Sequence, residues 1–211
     1  LDLVPLFSYI FLRGRCRYCK TIFGKQNLLV EIGYGTIYVL LYHFILSGTG
    51  IVDGLLWLSY YSLLFVSLGV IGLYDYKHSY IPPAFLFLFS FLTLIMLGIR
   101  YSYEGGGAVL LGPVIVALPF LLIWLFTKGR ALGFGDVILF AGVGAFFGIE
   151  QGLAVLLISV WIGAVVGVLT LLFKRKKMAG ASLPFVPFIV AAFLLVLFTD
   201  IDVFSIASIP L

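Results

Sequence analysis

Charge is scarce in this chain. Asp, Glu, Lys and Arg together make up 10% of its 211 residues, against 63% hydrophobic residues and a mean hydropathy of +1.23. A soluble domain has nearer a quarter of its residues charged, so that class is excluded and lipid is the solvent for most of the chain. Internal repeats and low-complexity linkers are also missing, and there is no room for a large soluble domain. Cysteine is nearly absent. Cys16 and Cys19 form one CxxC pair in the most basic part of the chain, which fits a reduced, cytosolic setting better than a disulfide. The first residue is Leu1, which predicts that the natural start is missing and leaves a targeting signal unreadable.

What the chain has is long apolar runs. They predict an all-α, polytopic membrane helical bundle with spans at residues 28–46, 54–74, 81–98, 108–127, 136–149, 152–173 and 185–199. The boundary near Gly148, Glu150 and Gly152 is the critical one, because merging the fifth and sixth spans would break the topology. Two segments follow: a cysteine-containing stretch over 1–27 and a transmembrane domain over 28–211. Gly142, Gly144, Gly148, Gly163 and Gly167 lie at spacings that let helices approach closely.

Lys and Arg alternate with the spans. Arg13, Arg15, Arg17, Lys20 and Lys25 precede the first, Lys77 follows the second, and Lys128 and Arg130 follow the fourth. Lys174, Arg175, Lys176 and Lys177 follow the sixth. Of the 13 basic residues only Arg100 falls in the opposite loops, which carry Asp53, Glu104, Glu150, Asp200 and Asp202. Cytoplasmic loops keep positive charge, so the N-terminus is expected in the cytoplasm and the C-terminus outside. The net charge of +4 is therefore topological, not a sign of nucleic-acid binding.

This orientation puts Asp75 and Asp136 at the cytoplasmic ends of the second and fifth spans. Ionisable groups at the edge of the hydrocarbon are costly and usually face a bundle interior, a water cavity or a partner. Two carboxylates that cannot both ionise suit aspartyl proteolysis: one acts as base on water while the other donates to the scissile carbonyl. Neither residue is assigned either role at this point. Asp136 sits in Gly133-Phe134-Gly135-Asp136, where glycines allow substrate backbone to approach. Asp75 is followed by Pro82 and Pro83, which open the next helix. Each Asp alone could be a helix cap or an interfacial charge.

The DxxxxxxP and GxGD pair resembles the type IV prepilin peptidases, a family of GxGD membrane proteases. The likeness extends to Leu12-Arg13-Gly14-Arg15-Cys16-Arg17-Tyr18-Cys19, to Val30-Glu31, to residues 133–148 and to Pro184-Phe185-Val186-Pro187-Phe188, where Val186 replaces a Gly. It runs from about residue 2 to about residue 198. The resemblance implies Asp75 and Asp136 as catalytic residues in a multi-pass protein of the bacterial inner membrane. Gly133, Gly135, Pro82 and Glu31 would lie along the substrate. The expected partners are membrane lipid and a prepilin or pseudopilin of type IV pili or type II secretion, with the oligomeric state open. Proteolysis is expected to need no cofactor.

Three departures qualify this reading. The family often has two CxxC pairs, which suit a four-thiolate zinc site, whereas Cys16 and Cys19 supply half of one. The pair is either half of a zinc site completed elsewhere or a reduced pair without metal. The family also has an additional helix and a cytoplasmic stretch before this point. Leu3 and Leu28 stand where it commonly has Asn and Pro, in the region linked to N-methylation from S-adenosylmethionine, which leaves that activity open.

Glu31 also reads as a carboxylate at the positive end of a helix. His43 reads as packed or interfacial, His78 as a solvated loop residue, and Trp57, Trp124 and Trp161 as interface or packing aromatics. Two alternatives remain: a presenilin-like or preflagellin GxGD protease, and a small transporter using the two aspartates as a proton or cation site.

Overall fold

The computed structural model describes residues 8–9, 11–22, 25–46, 50–130, 132–173 and 184–207. Its main elements are α1 (Lys25–Leu46), α2 (Ile51–His78), α3 (Pro83–Glu104), a 3-10 turn (Gly107–Leu110), α4 (Leu111–Thr127), α5 (Phe134–Phe147), α6 (Ile149–Phe173), α7 (Val186–Thr199) and a short α8 (Val203–Ala207). The seven expected apolar segments are seven helices, and the chain is a helical membrane protein of the polytopic class. Among the described residues, five segments are long and apolar enough to cross a membrane: Leu28–Ile45, Ile51–His78, Pro83–Glu104, Gly107–Thr127 and Ile149–Phe173. α5 and α7 are apolar but shorter.

The chain forms two compact units, Leu1–Leu63 and Leu64–Leu211. In the first, Arg15 and Ile22 form an antiparallel bridge around the cysteine turn. α1 follows, and then the start of α2, where Trp57, Tyr60 and Tyr61 cluster. Leu3 and Lys174–Lys177 lie outside the described residues.

In the second unit α5 is the central helix. It packs on α3, α4 and α6 and buries Val137, Leu139, Phe140 and every residue from Gly142 to Phe147. Its 14 residues span about 21 Å at 1.5 Å per residue, well short of a hydrocarbon core of roughly 30 Å. Phe140 stacks on Phe120 of α4 at 4.0 Å between ring centroids. Phe193 of α7 gathers Phe65, Phe89, Phe146 and Phe147 around it.

Glycine sets how closely these helices pack. A Cβ on Gly112 would lie 2.6 Å from the Gly144 carbonyl oxygen, and one on Gly144 would collide with Gly112 in return. A Cβ on Gly142 would meet Phe89 at 2.5 Å. Gly163 is in contact with Phe185 and Phe188, but Gly167 faces open space and makes no such approach. The boundary between the fifth and sixth spans is Gly148, whose φ of +83° breaks the helix after one residue. The other ends follow local chemistry. Pro82 and Pro83 start α3 because neither needs an N–H bond there, and Gly105 closes α3 in the left-handed region.

Gly144→Ala should therefore cost about 1–3 kcal/mol through overpacking, whereas Gly167→Ala should be neutral. Thermal unfolding of the two purified variants in detergent tests this, and equal midpoints would contradict the packing described.

Candidate functional site

Asp75 lies in the last turns of α2, which extends beyond residue 74 to His78. The residue is buried, with 8% of its surface exposed. A buried carboxylate needs hydrogen bonds from the protein. The backbone N–H of Val186, at the start of α7, donates to Asp75 Oδ2 at 3.0 Å across 111 residues of sequence. The first N–H groups of a helix have no partner within the helix, and its N-terminus carries partial positive charge. Phe185 stands at the capping position and has no side-chain acceptor to offer. Asp75 thus supplies from α2 the cap that the local sequence lacks.

Asp136 is in the first turn of α5, which begins at Phe134. Its N–H donates to the Gly133 carbonyl at 3.2 Å, and its side chain is half-buried. The Asp75 and Asp136 carboxylates are within Coulombic reach of one another. The GxGD glycines let neighbouring side chains pack close to the backbone. A Cβ on Gly133 would lie 3.4 Å from Asp136 Oδ2, and one on Gly135 would press on Ile81 Cδ1 at 3.0 Å. Ile81 adjoins Pro82, the residue that caps α3. Asp75, Asp136, Gly133, Gly135 and the Ile81–Pro82 connection therefore converge at one end of the second unit.

The other expected site residues belong to the first unit. Glu31 is half-buried on α1. Cys16 and Cys19 are free thiols in one turn. Cys19 Sγ lies 2.9 Å from Thr21 Oγ1, and that hydrogen bond pulls its thiol down to about 7. Among the described residues, no three His, Cys, Asp or Glu side chains are grouped to hold a metal. Two thiols are two donors short of a structural zinc site, so the described residues do not fit one. His78 is exposed and rests against Tyr74 at 5.2 Å between ring centroids. The sequence reading did not single out the Val186 amide. The available signal was a helix start at Val186-Pro187 with no Ser, Thr, Asp or Asn before it.

The fold and site define a helical membrane protein with a paired-carboxylate centre between two helix ends. Residues 62–168 match the type IV leader peptidase family, residues 1–45 match the bacterial peptidase A24 N-terminal domain, and the chain belongs to the type IV leader peptidase family. It is similar to the prepilin leader peptidase/N-methyltransferase of Burkholderia pseudomallei, with 32% identity over 197 residues covering 89% of this chain and 59% of the relative. The Stutzerimonas stutzeri protein of the same name is 31% identical over 90% of this chain and 64% of its own length. The Pseudomonas putida protein is 31% identical over 93% and 67%. The chain thus spans 59% to 67% of the lengths of these relatives. No solved structure matches it.

Asp75→Ala should remove the acceptor for Val186 N–H and destabilise the fold by about 1–2 kcal/mol, the usual cost of losing a helix cap. Asp75→Asn keeps an acceptor oxygen and should unfold near the wild-type temperature. Thermal unfolding of the two variants distinguishes them, and equal losses would show that the capping bond contributes nothing.

Proposed function

We infer that the chain is a membrane endopeptidase that removes the leader peptide of type IV prepilins or pseudopilins, with Asp75 and Asp136 as its catalytic pair. The observation that carries this reading is the convergence of two carboxylates, 61 residues apart in sequence, at adjacent helix ends in a member of this family. The names of the relatives support the substrate class.

The chemistry follows from the pair. Two carboxylates within Coulombic reach favour a state with one proton between them. The ionised member takes a proton from water, and the water oxygen bonds to the scissile carbonyl carbon. The protonated member gives its proton to the carbonyl oxygen. Collapse of this adduct breaks the C–N bond, and a proton passes to the departing amine. Glycine at 133 and 135 lets the Asp136 carboxylate and Ile81 lie close against the backbone where a peptide would pass, and Pro82 fixes the facing connection.

The reaction requires no cofactor. N-methylation of the new amino terminus would be a second activity, with S-adenosylmethionine as methyl donor, and it rests on the names of the relatives alone. Cys16 and Cys19 would supply two of the four donors of a structural zinc site, and no step of the proteolysis is routed through it.

The orientation is read from charge. The Asp75 and Asp136 ends adjoin Lys77, Lys128 and Arg130, which supports a site on the cytoplasmic face of the bacterial inner membrane and a C-terminus outside. Reporter fusions after Lys77, Arg130 and Lys176 should all read cytoplasmic, and an outside reading at any of them would overturn the topology.

Asp75→Asn and Asp136→Asn should each lower cleavage of a purified prepilin to below about a thousandth of wild-type turnover, and the double variant should be no worse, since residues acting as one unit are not additive. A single variant retaining a tenth of the activity would remove its aspartate from the mechanism.

A further inference from the structure

Arg100 near the C-terminal end of α3 and Gly148 at the end of α5 lie at the opposite ends of their helices from Pro83 and Asp136. There the second unit holds a cavity of about 410 Å³ lined by Arg100, Glu104, Phe147, Gly148, Glu150 and Asp202, among others. Arg100 is the one basic residue of the sequence on this side of the topology.

Two of the three guanidinium nitrogens are occupied. Arg100 Nε donates to Glu104 Oε1 at 2.9 Å, and Nη2 donates to Oε2 at 3.3 Å. The group lies over Gly148, where any Cβ would collide with it. Nη1 is buried and has no hydrogen-bond partner among the described residues. A buried charged donor without an acceptor is expensive, and such orphans mark a missing ligand or water.

The carboxylates point to the rest of the ligand. Glu104 is already engaged by Arg100. Glu150 is exposed, and no hydrogen bond or ion pair to it is present among the described residues. Asp202 accepts from the Ser205 hydroxyl at 2.7 Å and from its N–H at 2.6 Å through Oδ1, bonds that hold its carboxyl below the usual range. The cavity thus sets three carboxylates against one guanidinium. A simple anion would answer Nη1 but meet excess negative charge, and a simple cation would leave Nη1 unanswered.

We propose that this cavity binds the zwitterionic headgroup of an aminophospholipid, its phosphate pairing with the Arg100 guanidinium and its ammonium donating to Glu150 and Asp202. The placement supports a lipid source, because the cavity lies at the end of the membrane-crossing helices α3 and α6, where headgroups lie. Phosphatidylglycerol offers the phosphate without an ammonium. Phosphatidylcholine offers a cation with no N–H to donate. Neither satisfies both halves of the site.

Native mass spectrometry of the delipidated protein tests this, with dioleoyl phosphatidylethanolamine, phosphatidylglycerol and phosphatidylcholine added in parallel. Retention of the ethanolamine lipid should exceed that of the other two by about fivefold, and Glu150→Gln should remove most of that preference, as loss of one partly exposed ion pair would. Arg100→Gln should weaken retention of the ethanolamine and glycerol lipids together. Water-soluble glycerophosphoethanolamine should fail to displace the lipid at equal concentration, and displacement would mean that the ligand is the free headgroup. Equal retention of the three lipids, or an unchanged preference in Glu150→Gln, would overturn the proposal. Glu150 is exposed, so that variant leaves the packed core intact.

Discussion

A carboxylate buried in an apolar protein has to be solvated by the protein itself, and the way Asp75 meets this need organises the second unit. Its acceptor is used by the first amide of α7, so the last turn of α2 and the first turn of α7 are fixed against each other. Gly72 one turn earlier lets Val190 approach within 3.3 Å of where a Cβ would stand, and Phe65 further back meets Phe193 edge-on. The two helices are thus held in register along their shared length. An apolar side chain at position 75 could fill the space, but it would leave the α7 terminus without its acceptor.

The second constraint is steric. α5 carries few large side chains where it crosses α4, and the Gly112–Gly144 approach lets the two backbones nearly touch. In lipid such packing takes the place of the hydrophobic effect, which does not drive apolar helices together there. The same glycines that make α5 thin also make it buried on most of its surface.

Much of this was legible in the sequence. Apolar runs located all seven helices, and the spacing of Asp75 to Pro82 and of Gly133 to Asp136 marked the residues that converge. The segment boundaries were less legible. α2 extends to His78 and α5 begins at Phe134, so each aspartate lies within a helix. Hydropathy loses the ends of helices that become polar before they stop, as Asp75-Tyr76-Lys77-His78 does. The Val186 amide was out of reach for another reason: a backbone donor leaves no trace in residue identity, and its partner lies 111 residues away. The guanidinium of Arg100 read as a topological charge, because its burial against Gly148 depends on a turn with positive φ.

The shortness of α5 has a further consequence. Its neighbours α3 and α6, at 22 and 25 residues, extend about 33 and 37 Å at 1.5 Å per residue, against about 21 Å for α5. A short rod among longer ones leaves a depression at each of its tips. One tip carries Asp136, and the other lies beside the cavity at Arg100. Asp136, half-buried in the first turn of α5, is therefore reached at that tip and not along the length of the bundle. The depth at which both polar groups lie is set by the length of one helix.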